Sequence, residues 1–487
     1  MCQNLDRQAD NKQVLTSDIV SVRLVVIPVG AGSRSICNTN EKSSKLAPHT
    51  HPYSLILLPS SFCTMKVLIL SNYDVKGGAA RATYRLHQGL QSIGVDSQIL
   101  TGYKSIEDDS IVELPVAFGG KFKDLRAKLN RLPLKAYPQL GQVIFSPQWV
   151  PDSLVAEVAK IDPDVINLHW VCEGYMQIET LAKFNKPLVW TLHDMWAFTG
   201  GCHYSEDCDR YLNSCGACPQ LHSTKEADIS RWIWQRKAQA WQNLNLTLVT
   251  PSRWLAECAK SSSLLRDYPV KAIGNGLDAE LYKPLNRPEV RANLHLPHDK
   301  KLVLFGAMQG TGDRWKGFPL LVPALLRLSQ SGWQDKIELL VFGCPQPESP
   351  IDVGFKTHYL GRLDDERLAK VYAAADVMVV PSRYEAFGQT ASEALAAGTP
   401  VVAFDVTGLK DIVDDRDNGY LARPYDTEDL ARGIAWVLED RQRHQNLCRN
   451  ARIKVEQNFT LELQAREYSN LYEKVWQAAK LNLPKAK

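Results

Sequence analysis

The chain has 487 residues, 45% of them hydrophobic and 23% charged, with a formal charge of +3 at pH 7. That length exceeds what one compact core accommodates and suits two or three domains of ordinary globular composition. A charge of +3 by itself argues neither for nor against a nucleic-acid partner, and none is expected; no apolar run reaches the ~18 residues of a membrane span. Ile19–Val29 and Tyr53–Leu58 are short and interrupted by Arg23 or Pro59. The first residues lack a basic start followed by an apolar stretch, so the expected compartment is the cytoplasm. The eleven cysteines are then expected as thiols, and any cluster of them suggests metal before disulfide.

Residues 1–64 are polar and irregular, without helical or strand periodicity, and read as a disordered extension or an upstream non-native start. At Met65 the character changes. Met65-Lys-Val-Leu-Ile-Leu-Ser-Asn72 has the apolar run of a strand buried on both faces. Lys76-Gly77-Gly78-Ala79-Ala80-Arg81 follows it, and Gly77 and Gly78 would let backbone N–H groups approach a phosphate. The segment 121–132 carries five Lys or Arg against one Asp, with Phe122, Leu125, Leu129 and Leu132 on one helical face. It suits either a peripheral contact with the cytoplasmic membrane face or a solvated basic face over the core.

Further strands are expected at Ser97–Thr101, Val165–His169, Leu188–His193 and Leu246–Thr250. A second series follows at Leu302–Gly306, Glu338–Phe342, Val377–Pro381 and Pro400–Phe404. Strands alternating with helices predict parallel sheets covered on both faces, and two series predict two Rossmann-like, doubly wound domains. Turn chemistry at Thr250-Pro-Ser-Arg253 marks the join. Between the last strands of the first series, Cys202, Cys208, Cys215 and Cys218 fall within seventeen residues. Four thiolates could enclose a structural zinc, although only Cys215-Gly-Ala-Cys218 has the usual tight spacing; two disulfides or four free thiols remain alternatives.

In the second series, Glu385-Ala-Phe-Gly-Gln-Thr-Ala-Ser-Glu393 follows the strand ending at Pro381. Phe387-Gly388 forms the turn, placing Glu385 on the loop and Glu393 about two turns into a helix. Glu393 is then placed to accept from the two hydroxyls of a ribose, and Glu385 from hydroxyls of a sugar. The helix start points its positive end, with the N–H groups around Phe387 and Gly388, at a diphosphate.

A strand, Pro-Ser, Glu-x7-Glu and then Gly398-Thr-Pro400 together resemble the donor site of the family-4 retaining glycosyltransferases (glycosyl transferases group 1). The resemblance covers residues 65 to about 480. It implies the GT-B fold, an α/β architecture of two Rossmann-like doubly wound domains facing each other across a cleft. Residues 65–248 would form the acceptor-side domain, completed by the C-terminal helix (about 465–487), and residues 249–464 the nucleotide-sugar-binding domain. The implied reaction moves a sugar from a nucleotide-sugar, a UDP- or GDP-sugar, to a hydroxyl of a saccharide or lipid-linked saccharide, in polysaccharide or glycolipid assembly. No cofactor is implied for catalysis. Lys316 fits the family's phosphate-binding lysine. The family's preceding arginine is replaced by Ala307, with Arg314 as a stand-in two residues before Lys316. His193 matches the family's histidine near the reacting sugar, and Gly361-Arg362 the backbone around the nucleobase. The alternatives are a non-catalytic sugar- or nucleotide-binding homologue, or another GT-B enzyme such as a phosphorylase, whose pyridoxal-binding lysine signature is not found.

Overall fold

A computed structural model describes residues 65–115, 121–140, 143–306 and 314–482. The segment 1–64 and Ala307 lie outside the described residues, as does the side chain of Phe122. The strands are β1 (Lys66–Tyr73), β2 (Asp96–Tyr103), β3 (Ile111–Glu113), β4 (Val165–Leu168), β5 (Leu188–Thr191), β6 (Leu246–Thr250) and β7 (Val270–Ala272) in one sheet. A second sheet holds β8 (Lys301–Gly306), β9 (Ile337–Phe342), β10 (Thr357–Tyr359), β11 (Val377–Val380), β12 (Val401–Phe404) and β13 (Gly419–Ala422).

The first sheet runs β3-β2-β1-β4-β5-β6-β7 and the second β10-β9-β8-β11-β12-β13, with all pairings parallel. Both have the same winding: two strands step outward on one side of the first strand, and the chain then crosses to its other side. In such sheets ligands bind beyond the carboxyl ends of the strands, at the point where the order reverses. That point lies between β1 and β4 in the first sheet and between β8 and β11 in the second. The central strands β4, β5, β9, β11 and β12 are buried throughout and mostly apolar, with Asn167, Thr191 and Glu338 as buried polar exceptions.

Each sheet has a core on both faces. Leu68, Leu70, Ile166 and Trp190 face one side of the first sheet, while Val67, Ile69 and Val189 face the other. The C-terminal helix Leu461–Asn482 returns to that second side, where Ala465, Tyr468 and Tyr472 pack with Leu86 and Leu90 of the first helix, Gly78–Ser92. In the second sheet Leu304 and Met378 face one core, and Val303 and Val377 the other.

The basic segment forms a helix over Lys121–Asn130. Its apolar residues do not cover the core: Leu125, Leu129 and Leu132 are 43%, 38% and 45% exposed. The helix is instead held by Arg126, which donates to the carbonyls of Pro151 (2.6 Å) and Gly174 (2.7 Å). Asn130 is buried and donates to Gln148. No helix among the described residues is long and apolar enough to cross a membrane.

Candidate active site

At the reversal point of the second sheet, the loop after β8 is seated on the end of β11. The Arg383 N–H donates to the Trp315 carbonyl (2.8 Å). Gly317 has φ +72°, and a Cβ there would stand 1.9 Å from the Pro381 carbonyl oxygen, so only glycine fits. This seating brings Lys316 Nζ within 2.6 Å of Glu385 Oε1, which also accepts from the Ser382 hydroxyl (2.9 Å). The Glu385 backbone is tied down as well: its N–H donates to Thr407 Oγ1 (3.2 Å) and its carbonyl accepts from the Gly408 N–H (2.9 Å). An ordered carboxylate and ammonium therefore sit side by side at the carboxyl end of the sheet.

The turn at Phe387-Gly388 uses the left-handed backbone of Gly388 (φ +116°) to start the helix Gln389–Ala396. Phe387 is buried and packs edge-on against Phe459, at 5.3 Å between centroids, so it can offer a ligand only its backbone. Gln389 Nε2 donates to the Gly78 carbonyl (2.6 Å). The two predicted loops, Gly77-Gly78 after β1 and Phe387-Gly388 after β11, thus meet across the cleft.

Glu393 lies in the same helix, but its carboxylate is not open to solvent. Arg85 Nη2 reaches Oε1 at 2.7 Å and Arg81 Nη2 at 3.9 Å, while the Tyr372 hydroxyl donates to Oε2 (2.9 Å). Arg81 also pairs with Asp365 (2.5 Å). Burial opposes the charge on Arg85, yet the Glu393 carboxylate beside it raises its pKa. Tyr372 is raised well above the usual phenol range, first by burial and then by Glu393. A carboxylate has about four acceptor positions, so sites remain for further hydroxyls, although two guanidinium groups from the helix Gly78–Ser92 already share it.

Arg314, expected as a stand-in beside a phosphate, has partners of its own in the structure. Its guanidinium pairs with Glu206 and lies 4.2 Å from the Trp315 ring centroid. Around it, Trp315, Tyr384 and Tyr204 pack ring against ring at 5.4–5.6 Å, joining this loop to the cysteine-rich loop of the first sheet. Gly361 follows β10 with φ +68°, and its carbonyl accepts from the Gly343 N–H (2.7 Å). The Arg362 side chain is exposed.

His193 follows β5 and is half-buried. Its Nε2 lies 2.8 Å from Nδ1 of His169, which follows β4. Burial pushes the His193 pKa down to about 4, against a weaker upward pull from Asp194. Asp194 itself turns away: it accepts from Trp170 Nε1 (3.0 Å) and the Trp196 N–H (2.8 Å), and contacts His203 Nδ1 (2.6 Å).

Cys202, Cys208, Cys215 and Cys218 line one small cavity of about 20 Å³ and are all free thiols. Among the described residues, however, no group of three or more His, Cys, Asp or Glu is arranged to hold a metal ion. Zinc needs four ligand atoms about 2.0–2.3 Å from one point. Cys215 Sγ accepts from the Gly200 N–H (3.1 Å), and the buried Cys202 packs in the apolar core with Phe145 and Phe198. Burial raises the thiols, Cys215 to about 12 and Cys218 to about 11, which keeps them protonated near neutral pH.

Residues 76–281 match the family model for glycosyltransferase family 4, and residues 286–454 match the adjoining model for glycosyl transferases group 1. The chain belongs to this glycosyltransferase family. It is similar to a D-inositol 3-phosphate glycosyltransferase of Saccharomonospora viridis, 36% identical over 203 residues, which covers 38% of this chain and 45% of the relative. A protein of the same name from Nocardia farcinica is 34% identical over 299 residues, 58% of this chain and 60% of the relative. The chain therefore spans between about half and three-fifths of the length of these family-4 relatives. The fold is GT-B, as in sucrose-phosphate synthase of Thermosynechococcus elongatus (TM-score 0.62, 22% identity, 85% of this chain and 100% of that one). Anabaena HepE, solved with UDP and glucose, has a TM-score of 0.55 at 18% identity, covering 84% of this chain and 99% of that one.

Three residues that contact the expected site residues were not singled out by the sequence. Arg85 stands four residues after Arg81 on the first helix, so the two share one face. Tyr372 had no local signal, because its role depends on a helix from another part of the sheet. His169 ends a strand as His193 does, and that repeated strand–histidine pattern could have marked it.

Proposed function

We propose that the protein transfers a sugar from a nucleotide-sugar to an acceptor hydroxyl with retention of anomeric configuration. The observation that carries this reading is the Lys316–Glu385 pair at the reversal point of the second sheet, opposite the Gly77-Gly78 loop and beside the start of the helix Gln389–Ala396. In this reading the bond between the anomeric carbon and the diphosphate oxygen breaks as the acceptor oxygen bonds to the same face. The acceptor proton passes to the departing diphosphate. Negative charge grows on that diphosphate, and Lys316 with the N–H groups after Gly388 stabilises it. Glu385 holds sugar hydroxyls and Glu393 the ribose. Gly361-Arg362, at the end of β10, borders the base. His193 faces the sugar or acceptor from the first sheet.

The complex of Anabaena HepE with UDP and glucose supports a uridine nucleotide donor for this chain. The exposed Leu125, Leu129 and Leu132 beside Lys128 and Arg131 support contact with an anionic membrane and hence a lipid-linked acceptor. The test is nucleotide release from a panel of UDP- and GDP-sugars, with and without saccharide and lipid-linked acceptors. Release dependent on acceptor is expected; a requirement for inorganic phosphate would identify a phosphorylase, and absence of release with every donor would refute the transferase reading.

A further inference from the structure

His193 belongs to a buried chain of hydrogen bonds that fixes where its proton resides. Asn167, on β4, is the anchor. Its Oδ1 accepts from the Thr191 hydroxyl (3.2 Å), and its Nδ2 donates to the Tyr472 hydroxyl (2.7 Å) on the C-terminal helix and faces His169 Nε2 (3.0 Å). Thr191 is held in turn by the Tyr468 hydroxyl (3.0 Å). Asn167, Thr191, Tyr468 and Tyr472 are all at most 1% exposed, so water does not compete for these contacts.

With the Asn167 amide oriented so that Nδ2 faces the ring, His169 Nε2 presents its lone pair. The neutral His169 ring then carries its proton on Nδ1, which points at His193 Nε2. His193 Nε2 must accept, and the neutral His193 ring carries its proton on Nδ1. That nitrogen has no hydrogen-bond partner among the described residues. Burial holds both rings well below the ordinary histidine pKa, which keeps the pair neutral near pH 7. A second proton on His193 would set an N–H against the N–H of His169. Asp194 does not supply the orientation, because its carboxylate is turned to His203, Trp170 and the Trp196 backbone.

We propose that His169 is a positioning residue that fixes His193 in the tautomer protonated at Nδ1, so that His193 meets a sugar or acceptor oxygen as a hydrogen-bond donor and not as a base. The kinetic consequence rests on the transferase reading above; the tautomer itself does not. The C-terminal helix, through Tyr468 and Tyr472, thereby sets the chemistry of a side chain at the edge of the cleft.

The direct test labels histidine with 15N in the full chain and reads two-bond 15N–1H correlations near pH 7, with His193→Gln identifying the His193 signals. Protons on Nδ1 of both His169 and His193 are expected. A proton on His193 Nε2 would mean that Asn167 presents its carbonyl to His169, and would overturn the proposal. The kinetic arm compares His169→Gln, whose amide can still donate to His193 Nε2, with His169→Phe, which cannot. Loss of one neutral hydrogen bond predicts a roughly tenfold lower kcat for His169→Phe with donor KM changed less than about twofold, and recovery of most of the loss in His169→Gln. Equal losses in the two variants would show that His169 only fills space. A protein that releases no nucleotide from any donor would refute the transferase reading while the NMR result still decides the tautomer.

Discussion

The pair Arg85–Glu393 joins the two sheets and also involves the carboxylate proposed to hold the ribose, so a double-mutant cycle on it separates structure from binding. Both side chains are nearly buried, at 8% and 4% exposure, and 2.7 Å apart. Truncating one member of a buried pair costs about 3–5 kcal/mol, whereas replacing both by uncharged groups is often near neutral. Arg81 at 3.9 Å and Tyr372 at 2.9 Å retain part of the compensation for Glu393, so the lower end, about 3 kcal/mol, applies to Arg85→Met. Glu393→Gln should cost a similar amount by leaving Arg85 buried beside a neutral amide. The double variant should lose clearly less stability in urea unfolding than the two single losses added together. Titration with UDP and GDP gives the second readout. Arg85→Met leaves the Glu393 carboxylate in place and should bind nucleotide at least as well as the parent. Glu393→Gln and the double variant should bind at least about tenfold more weakly, the value of a lost charge-assisted hydrogen bond. Additive stability losses would refute the cross-cleft pairing. Equal weakening of nucleotide binding by Arg85→Met and Glu393→Gln would refute the ribose assignment.

Lys316→Ala should slow transfer about tenfold or more, because it removes a charge-assisted phosphate contact worth about 1.5–3 kcal/mol. Arg314→Ala should change the rate less than about twofold, because an exposed ion pair such as Arg314–Glu206 is worth about 0–1 kcal/mol; a tenfold loss would return Arg314 to the phosphate. Gly317→Ala should destabilise the second domain and impair turnover, since its Cβ would collide with the Pro381 carbonyl; a thermal melt matching the parent would contradict the seating of this loop. Lys237 is buried, donates to the carbonyls of Trp196 and Thr199, and has its pKa pushed down by burial to about 7. The unfolded chain therefore binds more protons than the folded one between pH 7 and 10.5, and stability should rise with pH through that window by at most about 1.4 kcal/mol per unit. Subtracting the pH profile of Lys237→Met isolates this slope, and a flat difference would show that the ammonium stays charged.

Which parts of the molecule were legible in the sequence follows from where each element's partners lie. The nine predicted strands all form, and they fill the interior of both sheets, where burial on two faces selects mostly apolar runs. The four unforeseen strands, β3, β7, β10 and β13, are the outermost of their sheets. Three or four residues such as Val270–Ala272 or Thr357–Tyr359, partly exposed, carry too little periodicity to stand out from loop. The same logic governs the site. Glu385, Gly388 and Glu393 share one local segment whose spacing is visible, and Lys316 stands beside a glycine that geometry requires. Arg85 and Tyr372 reach Glu393, and His169 reaches His193, only because the fold brings distant segments together. Arg314 likewise has partners that no local pattern specifies, Glu206 from a distant loop and the face of Trp315. Glu393 is the position where the two kinds of information join. Its place in the helix is a property of the motif, while its company of two arginines is a property of the closed cleft. A ligand that uses this carboxylate meets it already paired, with Arg85 at 2.7 Å and Arg81 at 3.9 Å.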